Sequence, residues 1–90
     1  MCVNVLSFVM FRVSKSYQPL GGVIRGNRQR VAITQATLAD RAGVTRRFIQ
    51  ELENGRSDVS LQTLIRLATA MDMTLTEICR QIEQAMTAKD

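Results

Sequence analysis

The sequence predicts an all-α domain of five helices, preceded by an extended N-terminal arm. Three observations carry this. Apolar residues recur every three or four positions from Leu20 to Met86. Thr34, Thr45, Ser60 and Thr74 each stand just ahead of one of these periodic runs, where a side-chain oxygen can cap a helix. Gly43 and Gly55 close two of the runs, at the position where a left-handed residue commonly ends a helix. The chain has 90 residues and a mass of 10.1 kDa, enough for one small domain. A domain of this size buries only about 60–70% of its unfolded surface, so a partner subunit would help it.

Residues 1–19 read as arm and linker, and residues 20–87 as the domain. The arm, MCVNVLSFVMFRV at 1–13, is almost continuously apolar. It is too short to span a bilayer, which takes about 20 residues. Its basic residues, Arg12 and Lys15, follow the apolar run, the reverse of a secretory signal. Val3, Val5, Val9, Phe11 and Val13 alternate in strand fashion, with Leu6, Phe8 and Met10 on the other face. Such a two-faced strand needs a partner, and the same strand of a second subunit is one. An unstructured leader is the alternative. SKSYQP at 14–19 is a linker ending at the only proline.

The first helix spans 20–31, marked by Leu20, Ile24 and Val31, with a start weakened by Gly21 and Gly22. Thr34 caps a second helix over 35–42 that Gly43 ends. Thr45 caps a third over 46–54 that Gly55 ends. Two helices of about eight residues joined by so short a turn form a helix-turn-helix. Ser60 caps a fourth helix over 61–71, with Leu61, Leu64, Ile65, Leu67, Ala68 and Met71 as its apolar stripe. Thr74 opens a fifth, at 75–87, and with Glu77 has the form of a capping box. Ile78, Ile82 and Met86 mark the inner face of that helix. Met71, Met73 and Met86 read as core filler rather than a ligand box.

Composition narrows the chemistry. The absence of histidine excludes a histidine-based triad, a histidine-bearing zinc site and an imidazole switch. Aromatic residues make up 4% of the chain, too few for a platform that stacks single-stranded bases. Cys2 and Cys79 lie far apart without a CxxC and read as free thiols of a reducing cytosol. No nucleophile stands beside a base, and no glycine-rich phosphate loop or metal cluster is visible. Neither an enzyme nor a cofactor is expected. Residues 12–56 carry nine Lys or Arg against three acids, whereas residues 57–90 carry three against five. The basic front half suits a polyanion, most often nucleic acid.

Residues 34–55, TQATLADRAGVTRRFIQELENG, resemble the Cro/cI (XRE-type) helix-turn-helix proteins, and the resemblance continues through TLIRLATAMDM at 63–73. It implies the lambda-repressor-like fold, with Leu38, Ala39, Val44, Ile49 and Leu52 in the core and Gly43 in the turn. It also implies an ion pair between Arg28 on the first helix and Glu53 at the end of the third. More narrowly, the string from Gly43 to Met73 resembles the HipB-like antitoxins, small cytoplasmic repressors encoded beside a kinase-like, HipA-like toxin. That narrower resemblance implies a nucleoid-associated homodimer that binds a palindromic double-stranded operator and the toxin, with no membrane role. Stand-alone phage-type repressors share most of the string. A protein-interaction subunit that inhibits a partner enzyme is a further alternative.

At 100° per residue, Ile49 and Leu52 point to one side of the third helix. Arg46, Arg47, Gln50 and Glu51 point away, and these are the candidate base contacts. Arginine suits guanine O6 and N7, glutamine suits adenine, and glutamate can accept from cytosine N4. Phosphate contact without sequence content is the alternative for Arg46 and Arg47. Gln35, at a helix N-terminus, is placed for a backbone phosphate, with Thr34, Thr45, Asn54 and Arg56 as further phosphate contacts. Phe48, larger than the residue usual at its position, either packs on Val44 and the fourth helix or touches a thymine methyl. The expected dimer contact is the fifth helix, with the arm adding an intersubunit strand. The toxin would meet the acidic back half, including Asp58, Asp72, Glu77 and Glu83.

Overall fold

The computed structural model describes residues 18–87. The N-terminal arm, expected as a strand or an unstructured leader, lies outside the described residues with Cys2 and most of the linker. Within them the chain forms α1 (Gln18–Arg30), α2 (Gln35–Ala42), α3 (Arg46–Glu53), α4 (Leu61–Ala70) and α5 (Leu75–Thr87), with no strand. α1 starts two residues before the expected Leu20, so Pro19 lies in its first turn. There the missing N–H costs nothing and the fixed φ already suits a helix. The other helix boundaries fall within a residue of the expected ones.

The caps explain the boundaries. Thr34 Oγ1 accepts from Thr37 N at 3.0 Å, Thr45 Oγ1 from Phe48 N at 3.0 Å, Ser60 Oγ from Thr63 N at 3.1 Å, and Thr74 Oγ1 from Glu77 N at 3.1 Å. Four helices end in one motif, a left-handed residue flanked by a 6→1 and a 5→2 backbone bond. In α2 that residue is Gly43 (φ 73°) and in α3 it is Gly55 (φ 75°). In α1 it is Ala32 (φ 60°) and in α4 Asp72 (φ 59°), both of which carry a Cβ. Ile33 N reaches Arg28 O at 3.2 Å, and Met73 N reaches Ala68 O at 2.9 Å.

The core joins all five helices. Leu20 and Ile24 come from α1, Leu38, Ala39 and Ala42 from α2, Ile49 and Leu52 from α3, Leu64, Leu67 and Ala68 from α4, and Ile78 and Ile82 from α5. Met71 and Met73 are buried with them, and Val44, Phe48 and Met86 pack against the rim. Phe48 therefore lies against the core rather than free in solvent. The stripe expected on α4 is only partly internal. Leu61 is 63% exposed and Ile65 43% exposed, because α2 and α5 cover the side of α4 that carries Leu64, Leu67 and Ala68. The apolar face of α5 is consumed inside the chain by Ile78 and Ile82.

Two features of α1 position the helix pair. Gly21 is buried, and a Cβ there would lie 2.7 Å from the carbonyl oxygens of both Leu52 and Glu53. The lack of a side chain lets the start of α1 touch the end of α3. Sequence reasoning sees Gly21 only as a weak helix former. Asn27 occupies an otherwise apolar register of α1 and is buried. Its Nδ2 donates to Val23 O at 2.9 Å and to Gln81 Oε1 at 2.7 Å, tying α1 to α5. A buried amide without such partners would be costly.

Candidate nucleic-acid interface

α3 has a sharply divided surface. Ile49 and Leu52 are fully buried, each contributing about 1.5–3 kcal/mol by leaving water. Arg46, Arg47 and Gln50 are exposed on the opposite side. Glu51 is half-buried, and its Oε2 lies 3.9 Å from Arg47 Nε one turn back. Thr45 and Thr34, both exposed, hold the starts of α3 and α2. Gly43, in the left-handed region, sets the angle between these helices. Arg41 Nη1 donates to Ala70 O at 3.3 Å and ties α2 to the end of α4.

The C-terminal end of α3 is anchored by three side chains from α1 and α2. The Glu53 side chain is fully buried. Arg28 Nε donates to its Oε2 at 2.7 Å and Arg28 Nη2 to its Oε1 at 3.1 Å, a bidentate fork. Gln35 Nε2 donates to Oε1 at 3.0 Å, and Arg25 Nε approaches Oε1 at 3.4 Å. Burial pushes the Glu53 carboxyl up. The hydrogen bonds from Arg28 and Gln35, the Arg28 charge and the Arg25 contact together outweigh it and hold the pKa below its ordinary value. Arg28 Nη1 also donates to Ile33 O at 3.0 Å, so one guanidinium fixes the α1–α2 turn and the α3 terminus together.

The structure thus brings Arg28, Gln35 and Glu53 into one cluster and sets Arg46, Arg47 and Gln50 on one free face. Gln35, expected on a phosphate, spends one amide N–H on Glu53. Its other N–H is the one left for an external acceptor. Asn54 follows α3 as its C-cap, and Arg56 lies beyond Gly55, both exposed. Sequence reasoning missed Arg25, which sits at i−3 from Arg28 and so on the same side of α1. That spacing was the available signal.

Two short helices joined by a glycine turn, the second with an apolar back and a cationic front, match a known pattern. The Helix-turn-helix family model covers residues 24–78. The chain belongs to the Cro/cI (XRE-type) helix-turn-helix family. Proteins of this family are DNA-binding transcriptional regulators rather than enzymes, and α2 with α3 is the helix pair that defines it. An HTH-type transcriptional regulatory protein of Methanococcoides burtonii is 32% identical over 69 residues, 73% of this chain and 21% of that protein. The chain therefore spans about a fifth of that relative's length. An HTH-type transcriptional regulator of Methanothermobacter thermautotrophicus is 45% identical over 49 residues, 54% of this chain and 71% of that one. Among solved structures, the clp gene regulator ClgR of Corynebacterium glutamicum superposes with a TM-score of 0.76 at 25% identity, covering 80% of this chain and 77% of that one. The restriction-modification controller protein C.AhdI of Aeromonas hydrophila superposes with a TM-score of 0.66 at 33% identity, covering 68% and 92%. Among the described residues no helix is long and apolar enough to cross a membrane.

Proposed function

We propose that this chain is a sequence-specific transcriptional repressor that lays α3 in the major groove of a palindromic operator. The division of α3 carries the reading. An oily back formed by Ile49 and Leu52 fixes the helix, and Arg46, Arg47 and Gln50 face outward. The major groove admits an α-helix, and residues near the N-terminal end of a recognition helix reach base edges. Arg46 and Arg47 stand at that end. Each guanidinium can bind guanine O6 and N7 and contribute about 1–3 kcal/mol of discrimination. Gln50 reads adenine, and Glu51 accepts from cytosine. Thr34, Gln35, Thr45, Asn54 and Arg56 bind phosphates and fix the register. The Arg28–Glu53 pair orients α3.

The repressor acts as a homodimer, with half-sites about 34–36 Å apart, in the cytoplasm at the nucleoid. Leu61 and Ile65, exposed on α4, leave apolar area that a second copy would cover. Its regulatory setting is that of an antitoxin that represses its own operon and binds a kinase-like toxin, supported by the string RRFIQELENG at 46–55. A stand-alone regulator is the second reading, favoured by the likeness to ClgR and to C.AhdI.

Electrophoretic retardation of the chain's own upstream DNA tests the core of this. The double variant Arg46→Ala, Arg47→Ala should lose the sequence-specific shift and keep its fold. An unretarded promoter duplex at low salt would overturn the reading. Co-purification of the neighbouring gene product with the intact chain would favour the antitoxin over the stand-alone regulator.

A further inference from the structure

We propose that Arg25 is a phosphate-binding residue that the Glu53 cluster holds ready beside the recognition helix. This rests on the DNA-binding reading above and adds a contact on α1, outside the helix pair. Arg25 is the weakest of the partners of Glu53. Its two oxygens already accept Arg28 Nε at 2.7 Å, Arg28 Nη2 at 3.1 Å and Gln35 Nε2 at 3.0 Å. Each carboxylate oxygen offers about two acceptor positions. Oε1 already takes Arg28 Nη2 and Gln35 Nε2, and Arg25 is a third and longest donor to that same oxygen, at 3.4 Å. Its second contact, Nη2 to Asn54 Oδ1, is 3.5 Å. Both lie at the weak limit for such bonds.

Charge gives the second argument. Arg28 neutralises Glu53, and the sequence of α1 contains no acid at all. Arg25 is therefore a surplus positive charge. The Arg28 side chain is 14% exposed, as befits a structural partner, whereas the Arg25 side chain is 47% exposed. A guanidinium with five donors, two of them weakly used, retains three for an external anion. Its planar fork suits a phosphate. Location gives the third argument. Arg25 touches Asn54 and shares Glu53 Oε1 with Gln35, the two residues assigned to phosphates in the reading above, so an anion held by them would lie within its reach. A duplex phosphate arriving there would replace the two long contacts with short, charge-assisted ones. Glu53 would keep its fork from Arg28.

The test is the salt dependence of binding by the full chain to its promoter duplex and to a scrambled duplex. Arg25→Gln should weaken both alike and lower the slope of log K against log salt by about 0.9, the value for one lost phosphate contact. Arg25→Lys should retain the slope. An unchanged slope in Arg25→Gln, with the wild-type chain still binding duplex, would overturn the assignment. If only the thermal midpoint fell, Arg25 would be a strut for Glu53 and nothing more. Failure of the wild-type chain to bind any duplex would instead strike the parent reading, so the two failures are distinguishable. Inorganic phosphate at the same ionic strength should not displace the duplex more than chloride does. Strong displacement would mark a free-anion site and would also overturn the proposal.

Discussion

The two ends of α3 are built on opposite rules. At its C-terminal end the Glu53 carboxylate is buried and held by Arg28, Gln35 and Arg25, and Gly21 lets α1 press against the last carbonyls. At its N-terminal end the Thr45 cap and the Gly43 turn hold the backbone, and the Arg46 and Arg47 side chains are exposed. One end is a fixed point and the other a probe. A short helix can read bases only if its pose is set elsewhere. The clasp sets it without occupying the reading face. The largest effect should therefore come from the fixed end. Arg28→Ala removes the bidentate partner of a buried carboxylate, a loss of about 3–5 kcal/mol. Gln35 and Arg25 remain on Glu53, so the value should lie towards the lower limit. Urea unfolding would measure it. Adding Glu53→Gln to Arg28→Ala should recover part of the loss, because the charge left behind is then gone.

The same clasp sets a pH dependence with a definite sign. The folded pKa of Glu53 is lowered, so its stabilising contribution is fully present above the unfolded carboxylate value of about 4.3. It is lost as pH falls through the lower, folded value. Stability profiles between neutral pH and about pH 3 should show this acid limb in the wild type and a shallower one in Glu53→Gln. If the two profiles ran parallel, the carboxylate would not be the fixed point.

Next in size is the contact between α1 and α3. Gly21→Ala places a Cβ 2.7 Å from two backbone oxygens that cannot rotate away. Overpacking of this kind costs about 1–3 kcal/mol. Gly22 has open space around its missing Cβ, so Gly22→Ala should instead stabilise, by about 0.5–1 kcal/mol. Opposite signs at adjacent glycines would show that the close approach, not helix propensity, decides the site. Equal signs would remove the fixed end's steric half.

The sequence made some of this legible and not the rest. The helix pair was readable because its boundaries are written locally: Thr34 and Thr45 cap, and Gly43 and Gly55 turn. The apolar back of α3 followed from spacing alone. The roles of Gly21 and Asn27 were hidden because both depend on which distant backbone or side chain lies opposite. Periodicity says which face is apolar and not what covers it. That is also why Leu61 and Ile65 extend the stripe of α4 in sequence and yet stand in solvent. Arg28 and Glu53 were paired only through the family resemblance, since 25 residues separate them. The inward bond of Gln35 had no local signal.

A smaller gain is expected at the α1–α2 turn, just beyond the clasp. Ala32 holds φ 60° with a Cβ, a conformation that costs an L residue about 1–2 kcal/mol. Ala32→Gly relieves that strain and adds entropy to the unfolded chain, leaving a net gain of about 0.5–1 kcal/mol. Operator affinity should not move, because Arg28 Nη1 fixes the turn through the carbonyl of Ile33 whatever residue stands at 32. Reduced binding in a more stable variant would mean that the turn itself, and not the clasp, sets the pose of α3.

The smallest change in stability should come from the residues with the largest role in reading. Arg46 and Arg47 lie in the first turn of α3, which contains no acid. The positive end of a helix dipole disfavours cations there by a few tenths of a kcal/mol or more each. The Arg47–Glu51 contact, at 3.9 Å with Arg47 86% exposed, offsets little of this. Stability alone would not put two arginines at that end. Replacing both with alanine should leave the unfolding midpoint unchanged or slightly raised while the promoter shift disappears. A loss above about 1 kcal/mol would place these side chains among the supports of the fold and erase the contrast between the two ends of the helix.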